Sequence, residues 1–158
     1  INSDLAVTGS TEDNVQTAQT GMGTVVIGIV HKKDFRPGNS IDGDVVVCIG
    51  IPKSAPEYKV RYSDQEITNP QTIRELSKLE FVHDILPVGS KGIKYEFTEL
   101  AKSSELGYDY YINLNVDIKK SGGPSTCCLV SLPKENLQEL KQKINKPISL
   151  IGELRKNA

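Results

Sequence analysis

The sequence predicts an α+β fold, a single mixed β-sheet with helices packed on one face. Three observations predict it. Short runs of β-branched and apolar residues alternate with amphipathic stretches of helical period, and glycine, proline or asparagine stands at most of the boundaries between them. Their order, β-β-α-β-α-β-β-α-β with no internal repeat, points to one sheet covered by helices.

Taken in order, residues 1–22 are polar and rich in Thr, Ser, Gly and Asn, with a short apolar patch at Leu5–Val7. Gly23–His31 reads as a first, β-branched strand. Turns at Arg36-Pro37-Gly38-Asn39 and Asp42-Gly43 lead into a run from Asp44 to Gly50 that is apolar on both faces, as a central strand would be. Residues 51–68 hold two prolines and scattered charges and predict an irregular connection. Asn69-Pro70 starts a helix, because Asn caps free N–H groups and Pro suits the first helical position. Phe81–Val88 predicts a third strand, and Gly89-Ser90-Lys91-Gly92 opens a second helix that buries Ile93, Phe97, Leu100 and Ala101. Tyr108–Val116 alternates and predicts a half-buried strand. Ser121–Ser125 is a loop and Thr126–Leu132 an apolar strand. A helix over Pro133–Asn145 and a short strand at Ile148–Ile151 close the order β-β-α-β-α-β-β-α-β.

Composition narrows the function classes. Hydrophobic residues make up 37% and charged residues 25%, which suits a packed core and not a disordered chain. No apolar run approaches the length of a membrane span, and the N-terminal residues lack the charge and apolar pattern of a secretory signal. Lys and Arg total 19 against 20 acidic residues, with no basic block longer than a pair, so a nucleic-acid footprint is not expected. Cys48, Cys127 and Cys128 sit in strand-like runs and predict buried, reduced thiols and a cytoplasmic location. The chain starts at Ile1 and its one methionine is Met22, which predicts a processed, excised or proteolysed piece of a longer protein.

Four segments offer chemistry, each with a structural alternative. Gly9, Ser10, Thr11, Glu12, Asp13 and Asn14 have the hydroxyls, amide and carboxylates to hold a phosphate or ribose, with Glu12 and Asp13 as magnesium ligands. They equally suit a helix N-cap followed by acidic residues. Gln19–Gly23 has two glycines that permit either close ligand approach or a tight turn. Gly89, Ser90, Lys91 and Gly92 place free N–H groups and a lysine at a helix start, as an anion site would. The alternative is a Ser90 cap beside a solvated lysine, and the spacing is not that of a Walker A loop. Lys119–Thr126 could wrap a phosphate or simply turn the chain. His31 and His83 have no metal-ligand spacing, and His83 reads as a half-exposed strand residue ahead of a general base. No nucleophile elbow occurs.

Several of these segments, in this order, resemble the aminoimidazole ribonucleotide synthetase-like (PurM-like) superfamily, which includes thiamine monophosphate kinase, selenophosphate synthetase and alpha-ribazole kinase. Thr8–Asn14 resembles the late loop of the family's N-terminal half, and Gly23–His31 its last strand. Arg36-Pro37-Gly38 with Gly43–Val47 resembles the crossing into the C-terminal half. Val82-His83-Asp84 and Gly89–Ile93 fall where the family keeps a histidine-aspartate strand and an Asp-x-Ser-Asp-Gly-Leu turn. Gly123–Cys127 through Ile151-Gly152-Glu153 is similar to its closing β-α-β unit. The first and third segments look most like the alpha-ribazole kinase branch.

The resemblance implies residues 1–36 as a remnant of an ATP-binding N-terminal half and 37–158 as the C-terminal α+β domain. It implies ATP and Mg2+ as cofactors of the intact protein and phosphoryl transfer to a nucleoside-like or vitamin-precursor substrate. The missing N-terminal half and a second copy of the chain, as a homodimer, are the implied partners, and the piece alone should be nearly inactive. Val88 and Lys91 depart from the family's aspartates, while Ser90 and Gly92 match. The rival expectation is a non-catalytic ligand-binding or regulatory domain that kept the fold and lost the metal carboxylates.

Overall fold

The computed structural model describes residues 25, 27–32, 35 and 37–157. The chain divides into two units, Ile1–His31 and Lys32–Ala158. In the first, the described residues 27–31 form no strand, contrary to the expectation for Gly23–His31. A β-branched run becomes a strand only where a ladder partner takes its backbone groups, and none of the described residues does so here. Residues 23, 24 and 26, and the segments Thr8–Asn14 and Gln19–Met22, lie outside the described residues.

In the second unit the remaining elements follow in the expected order: β1 (Val45–Ile49), α1 (Pro70–Leu76), β2 (Asp84–Pro87), α2 (Gly92–Ser103), β3 (Leu106–Tyr110), β4 (Cys128–Leu132), a 3-10 turn (Lys134–Asn136), α3 (Leu137–Lys143) and β5 (Ile148–Lys156). The sheet order is β2-β4-β1-β5-β3, with β1 at the centre. Every neighbouring pair is antiparallel, so the expected mixed sheet is corrected to a purely antiparallel one. The reason is interleaving. β1, β2 and β3 run in one direction, and the two opposite strands, β4 and β5, are inserted between them.

Helices cover both faces, which corrects the one-sided layer. On β1, Val46 and Cys48 face Ile93, Phe97, Leu100 and Ala101 of α2. Val45, Val47 and Ile49 point the other way, toward Leu76 of α1, Leu140 of α3 and the adjoining Ile144. A strand with five consecutive buried residues needs cover on both sides, and this strand has it.

Local chemistry explains several boundaries. Asn69 Oδ1 accepts from Thr72 N at 2.9 Å, capping α1 as its sequence predicts. The closing strand is longer than Ile148–Ile151. Its register slips between Val46 and Val47, so that Ile151 is the extra residue and fills the α2 core. Gly152 then lies where a Cβ would stand 2.8 Å from the Phe97 ring. The alternating run at Tyr108–Val116 is a strand only to Tyr110, which pairs with Gly152; Tyr111 donates its N–H to Ile151, and the chain then leaves the sheet. Tyr108 and Tyr110 pack on Phe97 with ring centroids 4.7 and 5.3 Å away. The helix expected over Pro133–Asn145 is a 3-10 turn followed by a shorter α-helix.

Candidate functional site

Two of the predicted segments meet at one end of the sheet, where β1 and β2 finish and β4 begins. Val88 follows β2 and donates its N–H to Cys127 O at 3.0 Å, carrying the ladder into the loop. Gly89 O accepts from Gly122 N at 2.9 Å, and Lys94 N donates to Ile118 O at 2.7 Å. The loop Gly89–Gly92 is thereby fastened to the loop Lys119–Thr126. The approach is close enough that only glycine fits. Gly92 sits at φ 78°, and a Cβ there would lie 2.7 Å from Lys120 O. Gly122 packs equally hard on the Val88 carbonyl.

Ser90 does not cap α2. Lys91 occupies the cap position, with no side-chain hydrogen bond to the helix. The N–H groups of Ser90 and Lys91 find no partner among the described residues, and both residues are exposed. Lys91 Nζ is held 4.0 Å from the Tyr95 ring centroid, a cation–π contact that leaves its charge unneutralised. Lys119 is exposed as well, and neither lysine makes an ion pair among the described residues. Glu96 Oε1 stands 3.4 Å from Gly89 N and opposes an anion on that side.

Two further lysines reach this end but are neutralised. Lys53, buried on the loop after β1, places Nζ 2.7 Å from Asp64 and 2.6 Å from Glu66. Those two carboxylates hold the Lys53 amine above its usual pKa, and Lys53 in turn lowers that of Asp64. Lys120 Nζ lies 2.7 Å from Glu57 and 4.2 Å from the Tyr58 ring centroid. Ser125 adopts φ 62°, unusual for a residue with a side chain, and its carbonyl accepts from Thr68 Oγ at 3.1 Å. Thr126, buried, accepts from Lys53 N at 2.8 Å and ties the loop after β1 to the same junction.

Gly9, Ser10, Thr11, Glu12, Asp13 and Asn14 lie outside the described residues. Among the described residues, no three His, Cys, Asp or Glu side chains are placed to hold a metal. Cys48, Cys127 and Cys128 are buried free thiols, as predicted. Hydrogen bonding with Cys127, together with burial, pushes the Cys48 thiol up, and burial, with the neighbouring Cys127, does so for Cys128.

The arrangement that the sequence does not reveal is at the other end of the sheet. His83 Nδ1 lies 2.7 Å from Oδ2 of Asp44, which is 1% exposed and also accepts from Ile41 N. Asp84 Oδ2 accepts from Ser40 N at 2.7 Å and Ser40 Oγ at 2.6 Å. Asp44 and His83 are 39 residues apart, so no local pattern could pair them.

No family model matches the chain, and no curated protein matches it by sequence. Solved structures do. HypE in a HypE–HypF complex aligns with TM-score 0.58 at 14% identity, over 76% of this chain and 49% of that one. E. coli HypE, a hydrogenase maturation protein, aligns with TM-score 0.60 at 11% identity, over 76% and 46% respectively. The described fold is shared with these HypE structures. At these identities the likeness is one of fold alone, and the chain spans about half the length of these neighbours. No described helix is long and apolar enough to cross a membrane.

Proposed function

We propose that the chain is the substrate-closing part of a PurM-like, ATP-dependent kinase or synthetase. It would help transfer the γ-phosphoryl group to a small nucleoside-like or vitamin-precursor substrate. The observation that carries this reading is the junction of Gly89–Gly92 with Lys119–Thr126. Catalysis of phosphoryl transfer is almost wholly positioning and charge stabilisation. Among the described residues, the junction supplies unpaired N–H groups on Ser90 and Lys91 and two unneutralised ammonium groups, Lys91 and Lys119, on a glycine scaffold locked by backbone hydrogen bonds. Backbone so held loses little freedom when an anion arrives.

The described residues do not contain a magnesium set, so no step is assigned to the metal within them. Glu12 and Asp13 are the carboxylates this reading assigns to it, with Mg2+ neutralising phosphate charge when bound. An N-terminal half and a second copy of the chain complete the proposed enzyme. Alpha-ribazole is the finer proposal for substrate; it rests on the Gly-Ser-Thr-Glu-Asp-Asn and Val-Gly-Ser-Lys-Gly stretches alone.

A second reading, a binding or regulatory domain without turnover, is favoured by one observation: Lys53 and Lys120 are already neutralised by Asp64, Glu66 and Glu57. Steady-state kinetics with ATP-Mg on the intact protein separates the two. Lys91→Ala is expected to raise the KM for nucleotide or substrate about tenfold, the loss of one charge-assisted contact. An unchanged KM removes Lys91 from the site. Nucleotide binding without turnover in the intact protein favours the second reading.

A further inference from the structure

The geometry points to a second ligand site, at the sheet end remote from the glycine loops, that takes a small organic cation: an amine or amidine on an apolar body. A groove of about 540 Å³ opens there between β2 and α2, walled on one side by Pro37 and Gly38. Its apolar surface comes from Val82, Leu86 and Leu100, and its polar atoms come chiefly from His83, Asp84 and Glu99. This combination of an apolar floor with a few convergent polar groups is what small-molecule sites share.

The polar groups are acceptors. His83 is oriented by Asp44, a carboxylate already committed to the Ile41 N–H and the imidazole. In the neutral tautomer that directs the Nδ1 proton at Asp44, the remaining ring nitrogen, Nε2, accepts a ligand N–H. Asp84 spends Oδ2 on Ser40 and Ser104, leaving Oδ1 without a donor among the described residues. Glu99 gives Oε1 to Lys102 at 2.9 Å and retains Oε2. The serine hydroxyls at the rim, Ser77 and Ser103, already donate to the Arg74 and Leu100 carbonyls, so they too offer lone pairs. Among the described residues, no lysine or arginine lines the groove. Asp84, with no cation paired to it among the described residues, and the second oxygen of Glu99, whose charge Lys102 already offsets, favour a cation and oppose an anion, the reverse of the lysine-bearing end.

The proposed phosphoryl transfer does not use this groove, although Pro37, Gly38, Val82, His83 and Asp84 belong to segments that carry the sequence resemblance. β-Strand addition is a poorer occupant, because Pro87 stands on edge strand β2 and has no N–H to give a ladder.

Benzamidine is a suitable probe and benzoate its charge-reversed counterpart. Titrated into the 15N-labelled full chain, benzamidine should shift amides of 82–86 and 99–103 saturably at millimolar concentration, and benzoate should not. Glu99→Gln should weaken benzamidine about tenfold, as loss of a charge-assisted hydrogen bond does, and Glu99→Lys should abolish it. Glu99 is partly exposed on a helix, so both variants should keep the wild-type amide dispersion. Absence of a saturable shift overturns the proposal. So does an equal response to benzoate, or wild-type affinity in Glu99→Gln.

Discussion

Replacing Gly92 by alanine tests the joined loops quantitatively, because Gly43 provides an internal control. Both glycines have positive φ, 78° and 88°, but a Cβ at Gly92 meets Lys120 O at 2.7 Å while one at Gly43 meets nothing within 4 Å. Alanine at Gly43 should cost only the left-handed backbone penalty, about 1–2 kcal/mol. Alanine at Gly92 carries that penalty and must also push two backbones apart, adding about 1–3 kcal/mol by analogy with overpacking. The expected difference is about 2 kcal/mol, a large share of a total stability of about 5–15 kcal/mol. In urea, with m about 2 kcal/mol/M, Gly92→Ala should unfold at a midpoint about 1 M below that of Gly43→Ala. Far-UV circular dichroism during urea titration measures both. Equal midpoints would refute the argument that the loops meet at Gly92, and with it the scaffold on which Lys91 and Lys119 are placed. A change in m would instead point to an altered denatured state.

Other outcomes follow from the same structure. Cys48, Cys127 and Cys128 should react with a thiol reagent only as fast as the chain opens, because all three are buried away from the reagent; rapid labelling in the native protein at pH 8 would contradict this. Asp64 has a lowered pKa, so its contribution to stability is present above its unfolded value near 3.8 and is lost as pH falls through the lower folded value. The melting temperature of wild type should therefore drop more steeply below about pH 4 than that of Asp64→Asn. A parallel pH profile for the two proteins would remove the Lys53 contact as its cause.

Much of the architecture can be read from particular residues. Val45–Ile49 is unbroken by polar side chains and is the central strand, while Asn69-Pro70 starts a helix through the hydrogen bond its residue types imply. The same continuous strand also implies cover on both faces, and the one-sided layer expected for the sheet ignores it. Strand direction is another matter. Strand–helix–strand spacing is compatible with adjacent parallel strands, and only the insertion of β4 and β5 between strands distant in sequence makes every pair antiparallel. Alternation from Tyr108 to Val116 carries no information on where β5 ceases to supply a partner.

The site divides the same way. The anion-ready character of Gly89–Gly92 is local and visible in residue types. Its union with Gly122 and the neutralisation of Lys53 and Lys120 depend on contacts across 11 to 63 residues of chain, as does the pairing of His83 with Asp44.

The most direct test of the proposed phosphate site is an ATP-Mg titration of the 15N-labelled chain followed by amide shifts. The account predicts saturable shifts concentrated in Gly89–Ile93 and Lys119–Ser125, weakened in Lys91→Ala. Millimolar nucleotide that leaves both loops unmoved, or moves only residues 82–84 and 99–103 at the opposite end, would contradict it.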